Sequence, residues 1–413
     1  MTDIRPFRGI RPAEHLASSI AALPYDVYTS REAREITRDN PMSFLNIDRP
    51  ETQFSEEVDM YSQPVYDRAS QMLNAWISKG AFIQDESPCF YVYALTMDGY
   101  TQTGIVGCAS IDDYLNNTIR KHENTREDKE LDRIRHVDTL STQTGPIFLS
   151  YRANPDLKAV LKEICAMPSL YDFTGEDGIR HQVWAVKETE RIEKISQIFS
   201  SINQVYIADG HHRAASAVKV GIRRREAHPG YDGTEEFNYF LSVLFPSDEL
   251  RIFDYNRVVS DLNGYTFDKL LAMIEDGFEV SPQGDKPYRP QKKGEFGLYG
   301  NGTWYCLRAK HKLFSNDPVD GLDVSILQNN ILAPLLGIQD PKTDSRIRFI
   351  GGIRGLMALQ EAAEETNGIA FSMYPTSMEE LFAVADAGRL MPPKSTWFEP
   401  KLRSGLFLHK IEH

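Results

Sequence analysis

Val205-Tyr206-Ile207-Ala208-Asp209-Gly210-His211-His212-Arg213-Ala214-Ala215-Ser216-Ala217 joins two different residue patterns. Its β-branched, apolar start predicts a buried strand, and its alanine-rich end predicts a helix. Between them lies a charged turn with one glycine. A helix N-terminus leaves backbone N–H groups unpaired and carries partial positive charge, so it attracts anions. Here the turn adds two imidazoles, a guanidinium and a carboxylate. Gly210, His211, His212 and Arg213 are therefore candidates for holding a phosphate, with Asp209 left for a metal or a hydroxyl. The same residues also fit a plain turn, in which Asp209 caps the helix and the histidines are partly solvated.

The rest of the composition describes a large globular protein. At 413 residues the chain exceeds what one small core organises, so two or three subdomains are expected. A net charge of −13 argues against a general binder of nucleic acid or membrane surfaces. Cys89, Cys108, Cys165 and Cys306 are scattered, which fits neither a zinc cage nor a disulfide framework. Met1-Thr2-Asp3-Ile4-Arg5 runs into polar sequence, and no stretch is apolar enough to span a bilayer, so a cytoplasmic protein is expected.

Local signals give the organisation. Thr29-Ser30-Arg31-Glu32 reads as a capped helix start, and a helix is predicted over Tyr61 to Ser78 with Lys79-Gly80 at its end. Asp98-Gly99 and Asn301-Gly302 each sit between strand-like runs and predict hairpins. Gly284 to Lys293 reads as a surface loop. Helices and strands alternate through the middle, which favours α/β, with α+β as the variant.

Three further segments are unusually polar. Arg120-Lys121-His122-Glu123-Asn124-Thr125-Arg126, followed by Lys129-Glu130-Leu131-Asp132-Arg133, offers a glutamate base beside a histidine. It equally fits the start of a solvated, charge-patterned helix. In Leu23-Pro24-Tyr25-Asp26-Val27, Tyr25 and Asp26 are candidate substrate contacts, Asp26 for an ammonium. Downstream, Arg49 suits a carboxylate, although simple turns explain the prolines as well. Met391-Pro392-Pro393-Lys394-Ser395-Thr396 supplies a charge and two hydroxyls for phosphate, or else an exposed proline-rich loop. It lacks the glycine spacing of a Walker loop, and the chain has no glycine-rich dinucleotide fingerprint.

The order His122-Glu123, a charged helix, Gly145-Pro146-Ile147-Phe148-Leu149, then Asp209-Gly210-His211-His212-Arg213 resembles the free-serine kinases of the ParB/sulfiredoxin-like group. Leu23 to Val27 and Met391 to Thr396 resemble a longer bacterial family, some of whose members are taken to be pyrophosphate-dependent serine kinases. The interval from Ser150 to Gln204 is longer than in the compact kinases, so the resemblance requires an insertion. It implies a ParB/sulfiredoxin-like catalytic core over 96–245, an N-terminal α/β segment over 1–95, and a C-terminal α/β segment over 246–413 that lends a phosphate loop.

The resemblance also implies roles. Glu123 would take the proton of a serine hydroxyl, His122 would orient or polarise the site, and Asp209 would hold Mg²⁺ or the acceptor. Gly210 to Arg213, helped by Lys394, Ser395 and Thr396, would hold the donor, which is pyrophosphate or a nucleotide such as ADP or ATP. The partners implied are small molecules, L-serine among them. Two other classes fit parts of the pattern. One is a metal-dependent phosphohydrolase with His211, His212, Asp209 and His122 as ligands. The other is a non-catalytic ParB-like DNA-binding or regulatory protein, which the net acidity disfavours.

Overall fold

The computed structural model describes residues 1–125 and 127–412, without the side chains of Asp128 and Lys129. Arg126, and the side chain of Lys129 in the charged segment above, therefore lie outside the described residues. The chain divides into two compact units, one of Met1–Leu250 with Pro400–His413 and one of Arg251–Glu399. Segments 1–95 and 96–245 thus share a unit, and the chain returns to that unit after residue 399.

Alternating apolar runs in the first unit build a nine-stranded mixed sheet. Its strands are β1 (Ile4–Arg5), β2 (Phe90–Met97), β3 (Tyr100–Ser110), β4 (Ile119–Arg120), β5 (Ile147–Tyr151), β6 (Tyr171–Thr174), β7 (Arg180–Val186), β8 (Val205–Asp209) and β9 (Tyr239–Pro246). They lie in the order β4-β8-β5-β9-β3-β2-β7-β6, with β1 against β3. The fold is α/β. Asp98 and Gly99 take φ of 51° and 76°, the doubly positive turn that a two-residue hairpin needs, and they join β2 to β3 as the sequence predicts.

Three helices matter for the site: α1 (Gln63–Ser78), α2 (Glu127–Leu140) and α3 (His211–Ala227). α1 starts two residues later than predicted, because Ser62 takes the cap position and Pro64 falls in the first turn. Thr29 and Glu32 form the expected capping box. Ala214, Ala217 and Val218 of α3 pack on Leu149 and Ile207 of the sheet, which explains the small residues there. The C-terminal stretch is sewn into this unit. Leu408 donates to the Ile10 carbonyl at 2.8 Å, and His409–Lys410 pairs with Thr142–Gln143. Among the described residues no helix is long and apolar enough to cross a membrane.

The second unit has a six-stranded antiparallel sheet of β10 (Tyr255–Val259), β11 (Phe278–Gly284), β12 (Glu295–Gly300), β13 (Thr303–Ala309), β14 (Ile347–Gly351) and β15 (Ile369–Met373). Their order is β11-β13-β12-β15-β10-β14. Asn301 and Gly302, at φ of 50° and 74°, close the predicted hairpin between β12 and β13. Helix α4 (Gly355–Glu364) packs Leu359 and Ala363 on Val258 and Trp304.

Gly221 lets α3 approach its neighbours. A Cβ there would meet the Phe237 carbonyl at 2.5 Å and Ile111 Cδ1 at 2.8 Å. Gly221→Ala should therefore destabilise the protein by about 1–3 kcal/mol, although alanine is the better helix former. Urea unfolding measures this, and a gain in stability would show that the contact gives way.

Candidate functional site

Three chain segments reach one end of the first sheet. β4 runs parallel to β8, with Arg120 opposite Tyr206, so Lys121-His122-Glu123 emerges beside Asp209-Gly210-His211. β5 runs antiparallel to β8, so its start, after Gly145-Pro146, lies at the same end. The β8–β5 register slips between Ile207 and Asp209, and such a bulge redirects the side chain that follows it.

Gly210 makes the turn at φ 91°, ψ 31°, a conformation that costs glycine little and other residues more. It takes the cap position of α3 itself, and no side chain caps the helix. Asp209 instead stands before the turn. Its Oδ1 accepts the Gly210 N–H at 2.8 Å, and its Oδ2 accepts from Lys401 Nζ at 3.0 Å. Burial would raise the Asp209 carboxyl, but the charges of Lys401 and Arg213 and these two hydrogen bonds hold it well below the usual range. The carboxylate stays ionised, and 35% of the side chain remains exposed.

The two histidine segments meet directly. The His122 and His211 rings pack edge to face with centroids 4.5 Å apart, and both are buried. Neither ring nitrogen of His122, nor Nε2 of His211, has a hydrogen-bond partner among the described residues. Burial pulls the His122 imidazole down to about 4, against the Asp209 charge and the nearby Ile207 carbonyl. Burial and then the charge of His122 push His211 well below its ordinary value. Both rings are neutral at pH 7. Glu123 and His212 are partly exposed beside them.

Arg213 bends back over the turn and donates through Nη1 to the Pro146 carbonyl at 2.6 Å. With Tyr25, Asp48, Arg133, His136, Thr144 and Ser404 it lines a small, partly open cavity with about 30 Å³ for water. The Arg133 guanidinium lies 3.9 Å from the centre of the Tyr25 ring. Burial pushes the Tyr25 phenol up to about 12, with Arg133 opposing. Asp48 accepts from Thr144 Oγ1 at 2.7 Å.

Other expected residues have different surroundings. Asp26 is exposed at its turn and does not line this space. Arg49 is buried and donates to Glu51 at 2.5 Å, to the Tyr25 and Tyr28 carbonyls at 2.9 and 3.0 Å, and to Ser30 Oγ at 2.9 Å. Its fork shapes the loop that carries Tyr25 and has little left for a carboxylate. The charged segment after Thr125 is largely helix α2, as the solvated-helix reading expected. Glu130, however, is buried and pairs with Lys219 of α3. Lys394, Ser395 and Thr396 belong to the second unit, where Ser395 Oγ donates to the Pro392 carbonyl at 2.6 Å. Among the described residues no three His, Cys, Asp or Glu side chains are disposed to hold one metal ion, so the hydrolase ligand set does not assemble as a cage.

Lys401 and Asp48 carry no role in the sequence reading, and Arg133 enters it only among basic residues that could balance an anionic substrate. Lys401 meets Asp209 across 192 residues, and no local pattern signals such a pair.

These features define an α/β protein whose strand-to-helix turn joins a paired aspartate to two buried neutral histidines. The chain belongs to the family described as "Protein of unknown function (DUF1015)", whose model matches residues 4–325. Among curated proteins none matches the sequence significantly. Several solved structures are distantly similar. A free serine kinase in complex with AMP has 14% identity and a TM-score of 0.37, covering 74% of this chain and 91% of its own. A conserved hypothetical protein from Pyrococcus furiosus has 13% identity and a TM-score of 0.35, with 74% and 94% covered. C-terminally truncated SbnI from Staphylococcus aureus has 10% identity and a TM-score of 0.38, with 74% and 87% covered. Likeness at this level transfers no activity, so the chemistry must come from the side chains.

The histidine pair sets a pH dependence. His122 takes up a proton in the unfolded chain near pH 6.5 but in the fold only near 4. Its contribution to stability is present above about pH 6.5 and is lost as the pH falls toward 4. Urea unfolding at stepped pH should show a flatter slope over that window in His122→Phe. An unchanged slope would mean that His122 is not buried neutral.

Proposed function

We propose that this protein is a small-molecule phosphotransferase that moves a phosphoryl group from pyrophosphate, or from ADP or ATP, to the hydroxyl of free L-serine. The observation that carries this reading is the meeting of the His122-Glu123 and Asp209–Arg213 segments at one sheet end, with their histidine rings in contact. Phosphoryl transfer needs donor charge neutralised, the acceptor oxygen in line and a proton acceptor at hand. The uncapped N-terminus of α3, the neutral His211 ring, the His212 side chain and the Arg213 guanidinium supply contacts for the donor phosphate.

Glu123 takes the proton from the serine Oγ as that oxygen bonds to phosphorus and the bond to the leaving phosphate breaks. The products are O-phosphoserine and the shortened donor, which is inorganic phosphate when pyrophosphate is used. His122 is assigned to orient this step. Asp209 fits Mg²⁺, because its carboxylate is ionised and partly open, and that ion usually takes one or two carboxylates plus substrate phosphates. The ion would supply charge neutralisation at the transferring phosphate. Tyr25 and Asp26 remain assigned to the acceptor. The committed fork of Arg49 makes Arg133 the better carboxylate partner. Lys394, Ser395 and Thr396 are assigned to phosphate. A pyrophosphate donor has no base or ribose, so it requires no adenine pocket.

The deciding experiment incubates the protein with serine, Mg²⁺ and each donor in turn and detects O-phosphoserine by mass. Phosphate released to water without phosphoserine would favour the hydrolase. Glu123→Gln should lower turnover by about 10²–10⁴-fold with donor affinity nearly unchanged. Near-normal turnover would pass the base role to Asp209. Arg213→Ala should raise the donor concentration needed for half-saturation by roughly tenfold or more. A collapse of serine saturation alone would contradict its assignment to the donor.

A further inference from the structure

The second unit contains a buried cation with no matching anion. Arg257 sits in β10, opposite Phe349 of β14 and Phe371 of β15, and only 3% of it is exposed. Side chains alternate along a strand, so Arg257 shares a face with Tyr255 and not with Asp254. Asp254 is itself taken by Arg289 at 3.0 Å and by Asn256 at 2.6 Å. Among the described residues no carboxylate pairs with Arg257. Its fork donates to the Tyr255 carbonyl and, at 3.1 Å, to the Lys394 carbonyl, and its carbon lies 5.5 Å from the Phe349 ring centre. Burial draws the guanidinium down to about 10, opposed only by Tyr255.

A buried charge without a partner is expensive, typically several kcal/mol per ion. Two further observations suggest what offsets it. Lys394 returns its own ammonium to within 5.6 Å of the Tyr255 ring centre, and that ring meets the Phe349 ring under Arg257 edge to face, with centroids 5.9 Å apart. Lys394 also takes φ 58°, a left-handed conformation unfavourable for lysine, which turns the loop so that its carbonyl meets Arg257. Two carbonyl contacts leave donors of the five-donor guanidinium for a ligand. A planar fork beside a lysine point charge suits a tetrahedral oxyanion.

We propose that Arg257 and Lys394 form an oxyanion site for a phosphate-class ligand, either free phosphate or one end of a pyrophosphate. The site extends the phosphate role assigned above to Lys394–Thr396 and rests on that part of the reading, but not on serine as acceptor.

The test titrates the full chain with inorganic phosphate and, separately, with pyrophosphate, by calorimetry and by the shift in Tm. Wild type should bind at least one anion, and the ratio of the two affinities identifies which source the site prefers. Lys394→Ala, at an exposed position, should weaken that binding tenfold or more with an unchanged ligand-free Tm. Arg257→Lys should weaken it similarly, because it keeps the charge and loses the fork. Ligand-free Arg257→Met should melt no lower than wild type and should lose the anion-induced shift in Tm. Failure of wild type to bind either anion would overturn the site, as would wild-type affinity in both Lys394→Ala and Arg257→Lys. Absence of phosphoserine with intact, Lys394-dependent binding would overturn the kinase reading and leave this site standing.

Discussion

The ion pair between Asp209 and Lys401 is the constraint around which the first unit's site is arranged. Asp209 ends a buried strand at a bulge, where an isolated carboxylate would tend to take up a proton. Lys401, with Arg213 nearby, keeps it charged. That charge in turn bears on His122 and His211, whose rings stay neutral because burial outweighs its pull. One carboxylate and two uncharged imidazoles at one end of the sheet give the site different proton affinities side by side. Acid–base chemistry near pH 7 relies on such differences.

How much of this was legible in the sequence depended on distance along the chain. The Asp98-Gly99 and Asn301-Gly302 hairpins and the Thr29–Glu32 capping box are set by neighbouring residues and were readable. The strand–Gly210–helix turn was readable for the same reason. Its cap was not, because Asp209 bonds backward to the Gly210 N–H and sideways to Lys401 instead of forward into the helix. Arg49 looked like a ligand-binding arginine, yet it braces the Tyr25–Ser30 loop. Arg133 looked like part of a solvated helix, yet it stacks on Tyr25 against the small, partly open cavity. In both cases a charge was visible, but its use depended on the Tyr25 loop, which lies far along the chain from Arg49 and farther from Arg133.

Net charge gave a second lesson. The chain carries −13 overall, yet it buries several guanidinium ions, Arg133 and Arg257 among them. Arg133 has Asp132 beside it, and its positive form is favoured despite burial. Arg257 has only carbonyl oxygens and an aromatic face, and its positive form is disfavoured. An acidic surface average therefore says little about where an anion is welcome.

The chain leaves the first unit at Leu250 and returns at Pro400, which sets an order of events during synthesis. A ribosome makes about 5–20 residues per second, so the 192 residues separating Asp209 from Lys401 take roughly 10–40 s. Throughout that interval the nascent strand-to-helix turn has its aspartate but not the lysine that charges it. The intervening Arg251–Glu399 segment is continuous and emerges whole before its host is finished. A messenger cut short anywhere in that segment would yield a chain whose site carboxylate never meets its cation.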